Sequence, residues 1–115
     1  LFGRIGGLYG NRYSLEQILT LAKHEEEYPQ LVFNGDFNFF NYDSEDFAYI
    51  NQTVKTFKAT KGNIEDVISR EPYWTQSLNK FDCGCDYPPE VPADFIERSN
   101  LIAEKIAFHS DGCEY

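Results

Sequence analysis

Three short turns in this chain carry polar side chains at points where a strand could end. The clearest is Leu31-Val32-Phe33-Asn34-Gly35-Asp36-Phe37-Asn38. It is an apolar run long enough for a buried strand, and it stops at a glycine followed at once by a carboxylate. That pattern predicts Asp36 at the carboxyl end of a strand, where open α/β sheets place their ligand sites. Similar endings occur at Gly10-Asn11 and at Gly62-Asn63. The functional reading depends on whether these three tips converge along one edge of the sheet. The structural alternative for Asp36 is a turn or helix-cap carboxylate, and for Asn63 a turn asparagine bonded to its own backbone.

The elements that would position these tips follow the chain in order. Leu1-Phe2-Gly3-Arg4-Ile5-Gly6-Gly7-Leu8 is a glycine-rich strand candidate leading into Tyr9-Gly10-Asn11. Its spacing does not fit the dinucleotide fingerprint, because no glycine has partners at both the +2 and +5 positions. Ser14-Leu15-Glu16-Gln17 reads as a capping box, with Leu15, Ile18, Leu19 and Ala22 forming one apolar stripe behind it. Glu25, Glu26 and Glu27 then close the segment with charge that a helix C-terminus disfavours. After the Asp36 tip, Phe39-Phe40-Asn41-Tyr42 is a loop whose rings either wall a pocket or pack beneath the loop. Asp43 or Ser44 can cap a second helix, in which Phe47, Ile50, Val54 and Phe57 keep helical spacing. A weak strand at Phe57-Lys58-Ala59-Thr60 ends at Gly62-Asn63, and a turn or two of helix follows. Strand and helix alternating in this way make a parallel α/β sheet. Residues 70–92, with several prolines and Tyr73, Trp74 and Tyr87, read as a long loop or lid. From Ala93 to Phe108 the helical pattern returns, with Phe95, Ser99, Ile102 and Ile106 on one face.

Composition narrows the classes of function. The 115 residues make one domain or part of one, and 17% aromatic residues are too many for a disordered segment. A net charge of -9 argues against nucleic-acid coating and against anionic membranes, both of which need clustered Lys and Arg. With no apolar run of spanning length and no signal peptide, the expected location is cytoplasmic. The 3 cysteines form no disulfide framework; Cys83-Gly84-Cys85 has one residue between its thiols, where a zinc knuckle has two. The chain begins at Leu1 and contains no Met, which suggests a fragment or a trimmed piece of a longer chain.

The order Gly7-Leu8-Tyr9-Gly10-Asn11, then Gly35-Asp36, then Gly62-Asn63-Ile64-Glu65 resembles the calcineurin-like metallophosphoesterase superfamily over about the first 70 residues. The superfamily pattern is D-x-H-G-N, then G-D, then G-N-H-[DE], each at a strand end. Gly-Gly-Leu-Tyr-Gly-Asn and Cys83-Gly84-Cys85 look like a divergent branch that has lost the Asp and His of the first motif. The resemblance implies the parallel β-α-β-α-β half of an αββα sandwich. It also implies a phosphate mono- or diester as substrate and a divalent metal (Mn, Zn or Fe) as cofactor. By the same resemblance Asp36 bridges two ions and Asn63 supplies an amide oxygen to one of them, a neutral donor suited to hard cations. Tyr9, Asn11, Asn38 and Glu65 become candidates to touch phosphate or to orient the ligands. Against the pattern, Gly7 and Tyr9 stand where it has a metal-binding Asp and His, and Ile64 replaces its general-acid His. His24 and His109, the 2 histidines of the chain, lie outside any metal-ligand context.

Two functional expectations follow. One is a divergent metal-dependent phosphoesterase, inactive as this piece alone, whose remaining ligands come from the rest of the chain or an oligomer partner. The other is a non-catalytic domain that kept the fold and binds a nucleotide, a metal or a protein. An ordinary α/β domain with coincidental Gly-Asp turns is the third reading.

Overall fold

The computed structural model describes residues 1–38, 40–41, 43–69 and 86–109. Strands β1 (Phe2–Ile5), β2 (Gln30–Asn34) and β3 (Lys58–Thr60) form a parallel sheet in the order β1-β2-β3. Helices α1 (Arg12–His24) and α2 (Ser44–Val54) make the crossovers. Helix α3 (Asn63–Ser69) follows β3, and α4 (Ala93–His109) packs against α3. The alternation of strand and helix expected from the sequence is therefore present, and it gives an α/β architecture.

Period-two burial explains which face of the sheet is covered. Leu31 and Phe33 alternate along β2, and the register places Ile5 and Ala59 on either side of Phe33. These side chains meet Leu15, Ile18, Leu19 and Ala22 of α1 and Tyr49, Ile50 and Val54 of α2 in one core. The stripes expected for both helices are the buried ones. Phe57, just beyond α2, stacks at a tilt on Phe33 with ring centroids 5.6 Å apart. Arg12 joins the two helices at the surface: it bonds Glu16 and Asp46 and lies over the Tyr49 ring, 4.1 Å from its centroid. The bond to Glu16 does most to raise the Arg12 pKa; desolvation opposes it, and the bond to Asp46 adds a lesser rise. The opposite sheet face, with Arg4, Val32, Lys58 and Thr60, is partly or wholly exposed among the described residues.

Several boundaries differ from the sequence reading. The first strand is Phe2–Ile5 and stops before Gly6. Helix α1 is capped by Asn11, whose side chain accepts the Ser14 N–H at 3.0 Å, so Ser14 is an N3 residue and the expected capping box does not form. The helix ends at His24 with Lys23 and His24 in its last turn; Glu25 is its C-cap and Glu26 and Glu27 follow, all exposed, so the acidic run sits at the helix C-terminus as expected. Asp43 caps α2 by accepting the Glu45 and Asp46 N–H groups, both at 3.0 Å. On α4 Ser99 is buried and Phe95 is exposed, with its ring edge-on to that of Tyr87 in the preceding segment at 6.2 Å. Cys83-Gly84-Cys85, Phe39, Tyr42, Tyr73, Trp74 and most of the expected loop or lid over 70–92 lie outside the described residues. No helix among the described residues is long and apolar enough to cross a membrane.

Candidate functional site

The three tips meet. β1 and β2 run side by side, so the loops leaving them emerge together, and backbone bonds lock the two loops. The Tyr9 N–H donates to the Asp36 carbonyl at 3.1 Å and the Gly10 N–H to that of Phe37 at 2.9 Å. Behind them, Leu8 and Phe37 are buried and anchor each loop to the core. Gly10 packs on Asn41: a Cβ at position 10 would sit 2.5 Å from the Asn41 Cβ, and Gly10 has φ +69°.

The third tip joins through Glu65, which is 0% exposed. One carboxylate oxygen accepts the Asp36 N–H at 2.7 Å and the Gly62 N–H at 3.0 Å; the other accepts the Asn38 N–H at 3.0 Å. A buried carboxylate needs such partners to offset its lost hydration. Glu65 thus fastens the second tip to the third. The two loops touch so closely that a Cβ on Gly35 would strike the Gly62 backbone, and one on Gly62 would strike the Asp36 carboxylate.

Asp36 sits at the centre of this junction with φ +54°. Its Oδ1 is buried and makes no hydrogen bond among the described residues. Asn63, the other proposed ligand, is exposed at the first position of α3, next to the Gly62 that packs on Asp36. Asn38 stands behind the tip, 0% exposed, where its amide exchanges two hydrogen bonds with Asn51 at 2.7 and 3.2 Å. That pairing turns the Asn38 amide away from any ligand and gives it a supporting role. Asn11 is occupied as the cap of α1. Tyr9 folds its ring back over Gly7: a Cβ there would lie 2.7 Å from Cε2 and 3.2 Å from the hydroxyl. Its phenol fills the space that an aspartate at position 7 would need. His24 is a surface residue with Nδ1 2.7 Å from the Thr20 carbonyl.

Asn51 was not singled out by the sequence reading, although a signal existed. It follows Phe47 by four residues, on the stripe that buries Ile50 and Val54, and a polar residue on a buried stripe needs a partner. Its amide also donates to the Phe47 carbonyl at 2.8 Å, which completes its bonds.

The donor set tests the implied metals. The bare Oδ1 of Asp36 fits a cation ligand, whereas both oxygens of Glu65 are taken up by N–H donors. Among the described residues no group of three or more His, Cys, Asp or Glu could hold an ion. They fit one side of a cation site and do not complete a two-ion centre. No family model, no curated protein and no solved structure matches this chain.

Proposed function

We propose that the chain carries the phosphate-ester site of a divergent metal-dependent phosphoesterase, built on the β-α-β-α-β half of an αββα sandwich like that of the calcineurin-like superfamily it resembles. The supporting observation is the junction itself: three motif ends far apart in sequence are bonded around Asp36, whose Oδ1 has no hydrogen-bond partner among the described residues. Asp36 and Asn63 are the residues that would hold a divalent cation (Mn, Zn or Fe), with further donors from outside the described residues or from a second copy. Such an ion, when bound, supplies positive charge for the phosphoryl oxygens and lowers the pKa of bound water. The chain's own part is to fix the carboxylate: Glu65 and the Tyr9 N–H hold the Asp36 backbone from both sides. Leaving-group protonation finds no group at Ile64, which is buried and apolar. Slow turnover is expected, since a general acid typically contributes 10²- to 10⁴-fold.

The test is hydrolysis of an aryl phosphodiester by the full-length protein with Mn²⁺ or Zn²⁺. Metal-dependent turnover that disappears in Asp36→Ala, with the fold intact by circular dichroism, supports the proposal; turnover that is absent or indifferent to metal removes it. A second reading, a binding domain without catalysis, is favoured by the Tyr9 ring over Gly7. Titration calorimetry separates the two: tight uptake of two metal equivalents contradicts the binding-only reading.

A further inference from the structure

We infer that β1 pairs antiparallel with the β1 strand of a second copy, about a two-fold axis at Gly3, and so joins two sheets into one. Antiparallel pairing sets the two tip junctions at opposite ends of the joint sheet, so the inference is independent of what either junction binds.

β1 is an edge of the sheet, with β2 on one side only. The Leu1 carbonyl accepts the Gln30 N–H at 2.9 Å. Alternate residues of a parallel strand bond to one neighbour, so Leu1, Gly3 and Ile5 turn their backbone groups toward β2, and Phe2 and Arg4 turn theirs to the open edge. A row of such groups is a template for another strand. Beside it stand three large apolar side chains that are mostly exposed: Leu1 (73%), Phe2 (70%) and Leu21 of α1 (66%). Leu21 lines a groove of about 390 Å³ between the strand and α1, together with Gly3, Ile5, Ile18 and Ala22.

The surface that fits this edge is the edge itself. A two-fold interface is self-complementary, each patch meeting its own copy. Centred on Gly3, the pairing sets Phe2 opposite the partner's Arg4 and Arg4 opposite the partner's Phe2. These are the residues whose backbone groups face outward, so about four N–H to carbonyl bonds close. Phe2 and Arg4 share one face of the strand, which brings each guanidinium across from a phenyl ring as a cation–π pair. Arg4 is exposed and forms no ion pair among the described residues, so it is available for that contact. Centring on Phe2 loses both guanidinium–ring pairs, and centring on Arg4 sets two guanidinium groups opposite each other, which is unfavourable. On the other face the same register puts the partner's Leu1 opposite Ile5, over the apolar groove.

The experiment is sedimentation equilibrium of the full-length protein over a concentration series, with amide exchange followed in parallel. The mass should rise from one chain toward two, and the Phe2 and Arg4 amides should become protected as it does. Phe2→Lys should weaken the dimer about 5- to 30-fold, the loss of two exposed guanidinium–ring contacts. The melting temperature of the dilute monomer should not change, because Phe2 is exposed. Phe2→Lys combined with Arg4→Glu places opposite charges across both pairs and should restore the dimer; only the register centred on Gly3 sets position 2 opposite position 4. If the double variant folds poorly, Arg4→Pro removes an outward N–H where an edge strand tolerates proline, and should abolish the dimer. A monomer at every concentration overturns the inference. So do a dimer indifferent to Phe2→Lys and Arg4→Pro, a loss that the folded double variant does not reverse, and Phe2 and Arg4 amides already protected in the monomer.

Discussion

Glu65 accepts the backbone N–H of Asp36, 29 residues earlier in the chain, at 2.7 Å. The bond is the shortest of three that this buried carboxylate accepts from the tip loops. In Glu65→Gln an NH₂ group replaces one oxygen and faces a donor. A loss of about 1–3 kcal/mol is expected for each buried group left unmet. Glu65→Ala removes the acceptor for all three and should cost more than Glu65→Gln. Urea unfolding of both variants checks the order; a Glu65→Ala protein as stable as the parent would show that the tips hold together without it.

The reciprocal pair Asn38 and Asn51 makes a coupled prediction. Truncating either to Ala strands a buried amide and should destabilise the fold by about 1–3 kcal/mol. The double variant should lose less than the sum, with an interaction energy of about 0.5–3 kcal/mol. A double-mutant cycle in urea measures that energy, and strict additivity would mean that the two amides do not depend on each other.

Gly35 and Gly62 let two backbones pass in contact. Gly35→Ala would drive a methyl group into the Gly62 backbone from a φ of +70°, and Gly62→Ala would drive one against the Asp36 carboxylate. Each should cost about 1–3 kcal/mol. Gly6→Ala is the control: a Cβ there meets nothing within 4 Å, so its melting temperature should stay close to the parent's.

Asp43→Ala removes the α2 cap and should cost about 1 kcal/mol, whereas Asp43→Asn, which keeps an acceptor oxygen, should fall within a few tenths. Thermal unfolding distinguishes them.

What could be read from the sequence was local. A strand that runs out at Gly35-Asp36, an apolar stripe through Phe47, Ile50 and Val54, and a cap at Asp43 each depend on a few consecutive residues, and each is found where the pattern put it. Asn11 and Ser14 are both good caps three residues apart, and the choice fell to Asn11 because the turn Leu8–Asn11 closes on itself through the Asn11 N–H and the Leu8 carbonyl. The roles of Asn38 and Glu65 were not legible, because their partners lie 13 and 27–29 residues away and appear only once the sheet has brought the loops together.

The clasp at Glu65 also ties together three motions. The amide protons of Asp36, Asn38 and Gly62 share one acceptor group. Any excursion that swings that carboxylate aside releases all of them at once, so in deuterium oxide they should exchange as a cooperative unit, with one common protection factor despite belonging to separate loops.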